Sequence, residues 1–289
     1  MKLPGLRGLG PFAVLRRAFG KFGEDDMGTY ASALAYQVLF SLFPFIIFLV
    51  ALLGFLNIPE FFEYLRGQAN EVLPAQVADQ VNQIIDEIEQ PRGGLLSLGI
   101  LVALWTASAG VRATMNALNV AYGVSEGRPV WKRMPLSLLY TVGLAAMLIA
   151  AAALLIFGPQ VMSWLGELVG FANIFVTLWN LLRLPVAVVL LMLVVALVYY
   201  AFPDTEQRFV FITPGSVLAV LVWLLASWGF SLYVQNFADF SATYGSLGAV
   251  VVILFYFYIS ASVLLFGAEI NEVIEDASAE GKDYGEKRA

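Results

Sequence analysis

The sequence predicts an all-α integral membrane protein with six transmembrane helices, and three observations carry that prediction. Of 289 residues, 60% are hydrophobic and only 13% charged, whereas a soluble domain carries about 25% charged residues. Six uncharged stretches can be read directly, 27–59, 93–111, 134–166, 184–203, 209–238 and 240–268. Most of these reach the roughly 20 residues needed to cross a hydrocarbon core about 30 Å thick. Basic residues are also partitioned. With the N-terminus inside, 13 (Lys2, Arg7, Arg16, Arg17, Lys21, Arg112, Arg128, Lys132, Arg133, Arg208, Lys282, Lys287, Arg288) fall on the inner side and 3 (Arg66, Arg92, Arg183) on the outer. An excess of Lys and Arg marks cytoplasmic loops, so both termini are expected in the cytoplasm.

Residues 1–29 precede the first span. Arg7, Arg16, Arg17 and Lys21 interrupt any apolar run there, which does not fit a signal peptide. Phe12, Leu15, Phe19 and Phe22 recur every three to four residues with Arg16, Arg17 and Lys21 between them. Two readings fit: an amphipathic helix lying on the anionic leaflet, or a solvated helix packed on the bundle.

The first span, 30–56, carries Tyr36, Gln37, Ser41 and Pro44. A glutamine amide gains nothing from facing lipid, so Gln37 is expected to point inward, either bonding another helix or contacting a solute. Pro44 removes a backbone donor and is expected to kink the helix. The loop 57–93 is acidic. Pro74 opens a predicted helix with Val77, Val81, Ile84, Ile85 and Ile88 on one face. It reads as a lid over a vestibule or as a helix resting on the outer leaflet.

The second span, 94–121, is the most polar: Thr106, Ser108, Arg112, Thr114, Asn116 and Asn119. Arg112 lies 18 residues past Gly94, about 27 Å along a helix, near the inner interface. Glu269 lies 25 residues past Tyr244, at similar depth on the last helix. The two either form an ion pair, or Arg112 snorkels to the interface and Glu269 is exposed.

The third span is placed at 135–157. Residues 159–183 contain Pro159, Glu167, Asn180 and Arg183. They read as an interfacial segment, 159–170, followed by the start of a fourth span at 173–201 that Pro185 kinks; a seventh span is the alternative. The fifth span, 214–236, ends at Asn236. The sixth, 244–270, opens with Tyr244, Gly245 and Gly248, whose glycines permit close helix approach. The tail 271–289 is charged and expected to fray. Ala107-Ser108-Ala109-Gly110 in the second span echoes Ala226-Ser227-Trp228-Gly229 in the fifth. That echo fits a weak 3+3 inverted repeat, a plan known in transporters.

The chain has no cysteine and no histidine, and its net charge is −6. Thiolate chemistry and the commonest general base are therefore missing, and no basic face invites nucleic acid. Walker, HExxH and dinucleotide-turn patterns are absent. Carboxylates cluster at Glu24-Asp25-Asp26 and at Glu269, Glu272, Glu275 and Asp276. Carboxylates can hold Mg²⁺, but on a helix end solvated charge is the ordinary explanation. No metal, cofactor or catalytic residue is expected.

The chain resembles the YihY/virulence factor BrkB family of bacterial inner-membrane proteins. The resemblance runs from Ala31-Ser32-Ala33-Leu34-Ala35-Tyr36 and Ser41-Leu42-Phe43-Pro44, through Ala117-Leu118-Asn119, Tyr122-Gly123 and Glu126-Gly127-Arg128-Pro129. It continues through Phe202-Pro203-Asp204, Pro214-Gly215 and Tyr233 to Thr243-Tyr244-Gly245-Ser246-Leu247-Gly248 and Gly267-Ala268-Glu269-Ile270-Asn271. It implies a six-helix inner-membrane fold and links to serum resistance and to lipid or solute export. It also brings an old ribonuclease BN label, which the absence of histidine and of a basic face argues against.

The sequence thus points to a non-enzymatic transporter of a small polar, anionic or amphiphilic solute. Its pathway groups would be Gln37, Arg112, Asn116 and Asn236, with Glu269 as partner of Arg112. Pro44, Asn119, Tyr244, Gly245, Gly248 and Gly267 are the structural positions. A membrane scaffold in envelope assembly is the rival, and a membrane-bound ribonuclease the third reading. Membrane lipids are the expected surroundings, and a homo-oligomer is compatible with the sequence.

Overall fold

The computed structural model describes residues 10–56, 93–206, 210–237 and 246–277, with isolated positions 63, 66, 67 and 82. Seven helices fill these stretches: α1 Pro11–Glu24, α2 Met27–Leu56, α3 Gly93–Ala121, α4 Val130–Val169, α5 Ala172–Ala201, α6 Pro214–Phe237 and α7 Ser246–Asp276. Most of the acidic loop 57–93 lies outside the described residues, as do Tyr244, Gly245 and the tail beyond Ala277. Four helical segments are long and apolar enough to cross a membrane: Val130–Leu155, Asn173–Ala201, Pro214–Tyr233 and Val250–Asp276. The other two expected spans correspond to α2 and α3, of 30 and 29 residues.

The apolar surface is turned outward. Ile149, Leu181, Leu184, Leu225 and Trp228 are all exposed. Water would not tolerate so continuous an apolar exterior, and lipid would. Burial is concentrated at one set of helix ends. Met27, Ala31 and Leu34 open α2, Val111, Met115 and Leu118 close α3, Val198 and Tyr199 close α5, and Leu265 and Ala268 lie late in α7; together they form one core. Start, end, end, end meeting in one place is what successive helices of alternating direction produce. The chain divides into two compact units, residues 1–36 with 111–289, and residues 37–110; this core belongs to the first.

Several boundaries differ from those expected, and three of the differences have a local structural reason. Residues 159–170 do not form a separate segment: α4 runs through Pro159 as one helix of 40 residues to Val169. A proline inside an apolar helix is tolerated where neighbours restore what its missing N–H gives up, and the adjoining Gly158 packs against the Trp179 indole of α5. The helix stops at Gly170, whose φ of 81° is the left-handed cap that glycine adopts without strain, and α5 follows as an antiparallel partner. At the other end of the chain, α7 continues six residues past 270. Ile270 and Val273 pack on Val14 and Ala18 of α1, so the last turns are paid for by burial rather than left to fray. The start of α2 lies at Met27, three residues before 30, because the turn at Asp25–Asp26 (Asp26 φ 52°) leads directly from α1 into it.

Both readings of residues 1–29 find part of their content in α1. Val14 and Ala18 face α7, and Phe22 and Phe19 meet Phe266 edge-on with ring centroids 6.0 and 6.5 Å apart. Phe12 and Phe19 nevertheless remain 81% and 75% exposed, alongside exposed Arg16 and Arg17, so an apolar-basic face is left uncovered.

Candidate functional site

Two polar clusters occupy the shared helix ends of the first unit. One is a network that ties α3, α4 and α5. Asn119 in the last turn of α3 donates through Nδ2 to Glu126 Oε2 (3.1 Å) and accepts at Oδ1 from the Asp204 backbone N–H (2.7 Å). Asp204 Oδ2 in turn accepts from the Gly127 N–H (2.9 Å). Arg128 donates from Nε to Glu126 Oε1 (2.7 Å) and from one terminal nitrogen to Glu126 Oε2 (2.9 Å) and the Phe202 carbonyl (2.8 Å). The last of these satisfies a carbonyl at the end of α5, which an α-helix leaves without an internal partner. Arg133 of α4 donates to Asn116 Oδ1 (2.5 Å) and to the Arg112 carbonyl (3.1 Å), with its Nε 3.5 Å from Glu126.

The electrostatics follow. Burial alone would raise the Glu126 carboxyl, but hydrogen bonds from Arg128 and the charges of Arg128 and Arg133 outweigh it and hold the group below its ordinary value. Burial works against the charge of Arg128 too, and Glu126 and Asp204 more than offset it. Beside this network lies a cavity of about 330 Å³ lined by Arg128, Tyr140, Tyr200, Asp204, Thr205 and Glu206. It is a polar concavity at this end of the first unit, wide enough for a small solute.

The second cluster surrounds Glu269, two turns from the end of α7. Its side chain is wholly buried, and neither carboxylate oxygen has a hydrogen-bond partner among the described residues. Around it stand Lys21 of α1, Asp25 at the α1 C-cap and Glu272 of its own helix. Lys21 is ion-paired with Glu272. Burial opposes the Lys21 charge, but the hydrogen bond and charge of Glu272 prevail and raise it. Burial raises the Asp25 carboxyl, Glu24 adds to the effect, and Lys21 opposes it. Just past α3, the buried Tyr122 hydrogen-bonds Asn271, and burial pushes its phenol up. Asn271 Oδ1 also accepts from the Gly215 N–H at 2.8 Å. That bond sits where α6 crosses α7 so closely that a Cβ on Gly267 would lie 2.8 Å from the Gly215 carbonyl oxygen.

The expected pathway residues are distributed differently. Gln37 Nε2 donates to the Thr106 carbonyl at 3.3 Å, a bond from α2 to α3 within the second unit. Arg112 does not pair with Glu269. It donates to Ser137 Oγ on α4 at 3.1 Å, while Glu269 turns toward α1. Arg112 is held by α4 and Glu269 lies among groups of α1, which distance along a helix does not reveal. Asn116 accepts from Arg133, and Asn119 is the hub of the network. The Asn236 side chain lies outside the described residues. Pro44 sits inside α2 without ending it, and Gly248 is buried near the start of α7. The repeated Ala-Ser-x-Gly segments have different neighbours: Gly110 abuts Gln37, whereas nothing lies within 4 Å of a Cβ on Gly229.

Sequence reasoning did not single out Glu126, Arg128, Asp204, Lys21 and Asn271 as site residues. The signal for four of them was in plain view, in the Glu126-Gly127-Arg128, Phe202-Pro203-Asp204 and Glu269-Ile270-Asn271 segments.

Comparison with known proteins bears on all of this. The family model described as virulence factor BrkB matches residues 18–289. The chain is 33% identical over 263 residues to a putative ribonuclease-like protein, YfkH, of Bacillus subtilis, covering 91% of this chain and 95% of that one. It is 25% identical over 261 residues to UPF0761 membrane proteins of Xanthomonas campestris and Xanthomonas axonopodis, covering 86% of this chain and 58% of theirs. It therefore spans little more than half the length of the Xanthomonas relatives. No solved structure matches.

Proposed function

The chain belongs to the virulence factor BrkB family of membrane proteins, and from that premise we propose that it is a transporter of a small polar, anionic or amphiphilic solute across the bacterial inner membrane. One observation carries the reading: Glu269, on an apolar helix, is wholly buried without a hydrogen-bond partner among the described residues. Ionisable groups buried on spanning helices are costly and often mark ion or substrate pathways. The polar cavity at Arg128 and Asp204 supplies a place for a solute on the same side of the bundle. Six crossings with both termini cytoplasmic are supported by the 13-to-3 division of basic residues and by the alternation of helix ends around one core. The protein is read as non-enzymatic; the ribonuclease-like name belongs to the Bacillus relative.

The absence of cysteine provides the test. Gln37→Cys, Asn116→Cys and Asn236→Cys are each labelled with a membrane-impermeant maleimide in intact cells and in inverted vesicles. Labelling of one site from both faces is the result expected of alternating access. No labelling at any site would overturn transport in favour of a scaffold for envelope assembly. That second reading has its own support, because Gln37, Arg112 and Asn116 all spend their polar atoms on neighbouring helices. Mg²⁺-dependent cleavage of RNA by the purified protein would overturn the non-enzymatic reading.

A further inference from the structure

The surroundings of Glu269 ask what neutralises it. Among the described residues, the charged or titratable groups that act on it are Lys21 of α1, Asp25 at the α1 C-cap, Glu272 of its own helix and Tyr122 just past α3. The one cation among them, Lys21, is already engaged by Glu272. An ionised Glu269 would thus place three carboxylates around one ammonium. An unpaired buried carboxylate costs several kcal/mol even after relaxation, and such groups ordinarily escape that cost by taking up a proton. The acidic cluster alone would mean little; the buried, unpartnered carboxyl within it points to an occupant.

Access to the site has a second feature. The helix over Glu269 is α1, laid on α7 through Val14, Ala18, Ile270 and Val273, and fastened in its last turn, beside the link to α2, by the Lys21–Glu272 ion pair. It joins α2 through the short turn at Asp25–Asp26, where Asp26 adopts a φ of 52°.

We propose that Glu269 is a proton-binding site, occupied in the resting protein, and that α1 is the lid that separates its proton from the aqueous phase at that end of the bundle. The proposal deepens the transport reading by naming the coupled ion and rests on that reading for its purpose. Protonation itself is measured without any cargo, so either can fail while the other stands. A native state that holds one proton more than the unfolded chain loses stability as pH rises. Glu269→Gln, which keeps the neutral shape, is expected to remove that loss.

The test uses the full chain in lipid nanodiscs and infrared difference spectroscopy. Wild-type protein at neutral pH is expected to show a protonated-carboxyl stretch that shifts in D₂O, persists in Asp25→Asn and disappears in Glu269→Gln. Where Glu269→Gln fails to fold, Glu269→Asp should move the band rather than abolish it. Lys21→Met releases the latch and should speed deuteron exchange into that band by roughly fivefold, the factor an ion pair near the upper end for partly exposed pairs supplies. A spectrum with no band that the Glu269 variants change, or a band that added Na⁺ abolishes, overturns the proton site. Exchange unchanged in Lys21→Met overturns the lid.

Discussion

Arg128 holds both carboxylate oxygens of Glu126, at 2.7 and 2.9 Å, and with the same guanidinium reaches the Phe202 carbonyl at 2.8 Å. Two residues apart in sequence, they join the loop between α3 and α4 to the end of α5 across 74 positions. A planar fork can do this; a lysine ammonium cannot satisfy both oxygens and the carbonyl together. Arg128→Lys should therefore lower stability in detergent by about 1–3 kcal/mol, read as a fall in Tm. A variant as stable as wild type would show that the network does not fasten α5.

Glu126 also gives a pH dependence with a definite sign. Its carboxyl is held below the ordinary value in the folded chain. The stability it contributes is complete above the unfolded-state value and is lost as pH falls through the folded-state value. Thermal melts of the wild type should thus decline at the acid end of the carboxylate range, and Glu126→Gln should be less stable near neutrality but flatter over that range. Parallel profiles for the two proteins would assign the acid loss to other groups.

Gly267 and Gly229 make a matched pair of tests. A Cβ on Gly267 would lie 2.8 Å from both the Ala219 Cβ and the Gly215 carbonyl oxygen, and closer still to the Tyr199 hydroxyl. The backbone contact cannot yield by a side-chain rotation, so α6 and α7 must part, and Gly267→Ala should cost about 1–3 kcal/mol. A Cβ on Gly229 meets nothing within 4 Å, and alanine is the better helix former, so Gly229→Ala should be neutral or stabilising by up to about 1 kcal/mol. Equal effects at the two sites would contradict the close crossing.

The uncovered face of α1 predicts a membrane contact. Phe12 and Phe19 project beside Arg16 and Arg17, the arrangement that seats a helix among anionic headgroups. A nitroxide on Phe12→Cys in vesicles containing anionic lipid should collide more with dissolved oxygen than with a water-soluble nickel chelate. Preference for the chelate would place this face in water.

Much of the helical order was legible because apolar runs bounded by charge have one economical solution in lipid. The errors have physical sources. Pro159 looked like a stop, but a helix packed against Trp179 carries a proline that an isolated one would not. Residues 271–276 looked like a fraying tail because their partners, Val14, Ala18 and Lys21, lie some 250 positions earlier. Arg112 and Glu269 were matched by depth, yet which way each side chain projects depends on packing around the helix axis. The Asn119–Glu126–Arg128–Asp204 network is spelled out in short motifs, but its closure spans 85 residues between Asp204 and Asn119, beyond what spacing can read.

The length of α4 has a mechanical consequence. Its 40 residues extend about 60 Å at 1.5 Å per residue, roughly twice the hydrocarbon thickness, while the antiparallel α5 has 30. Trp164, Leu168 and Phe171 near the hairpin turn are exposed and apolar. An upright α4 would push them out of the oil, so hydrophobic mismatch drives the hairpin to tilt or the bilayer to thicken around it. Lipid chain length becomes a variable of this protein's energetics: longer acyl chains relieve the strain, shorter ones load it onto the hairpin, and the tilt of α4 and α5 follows the membrane they occupy.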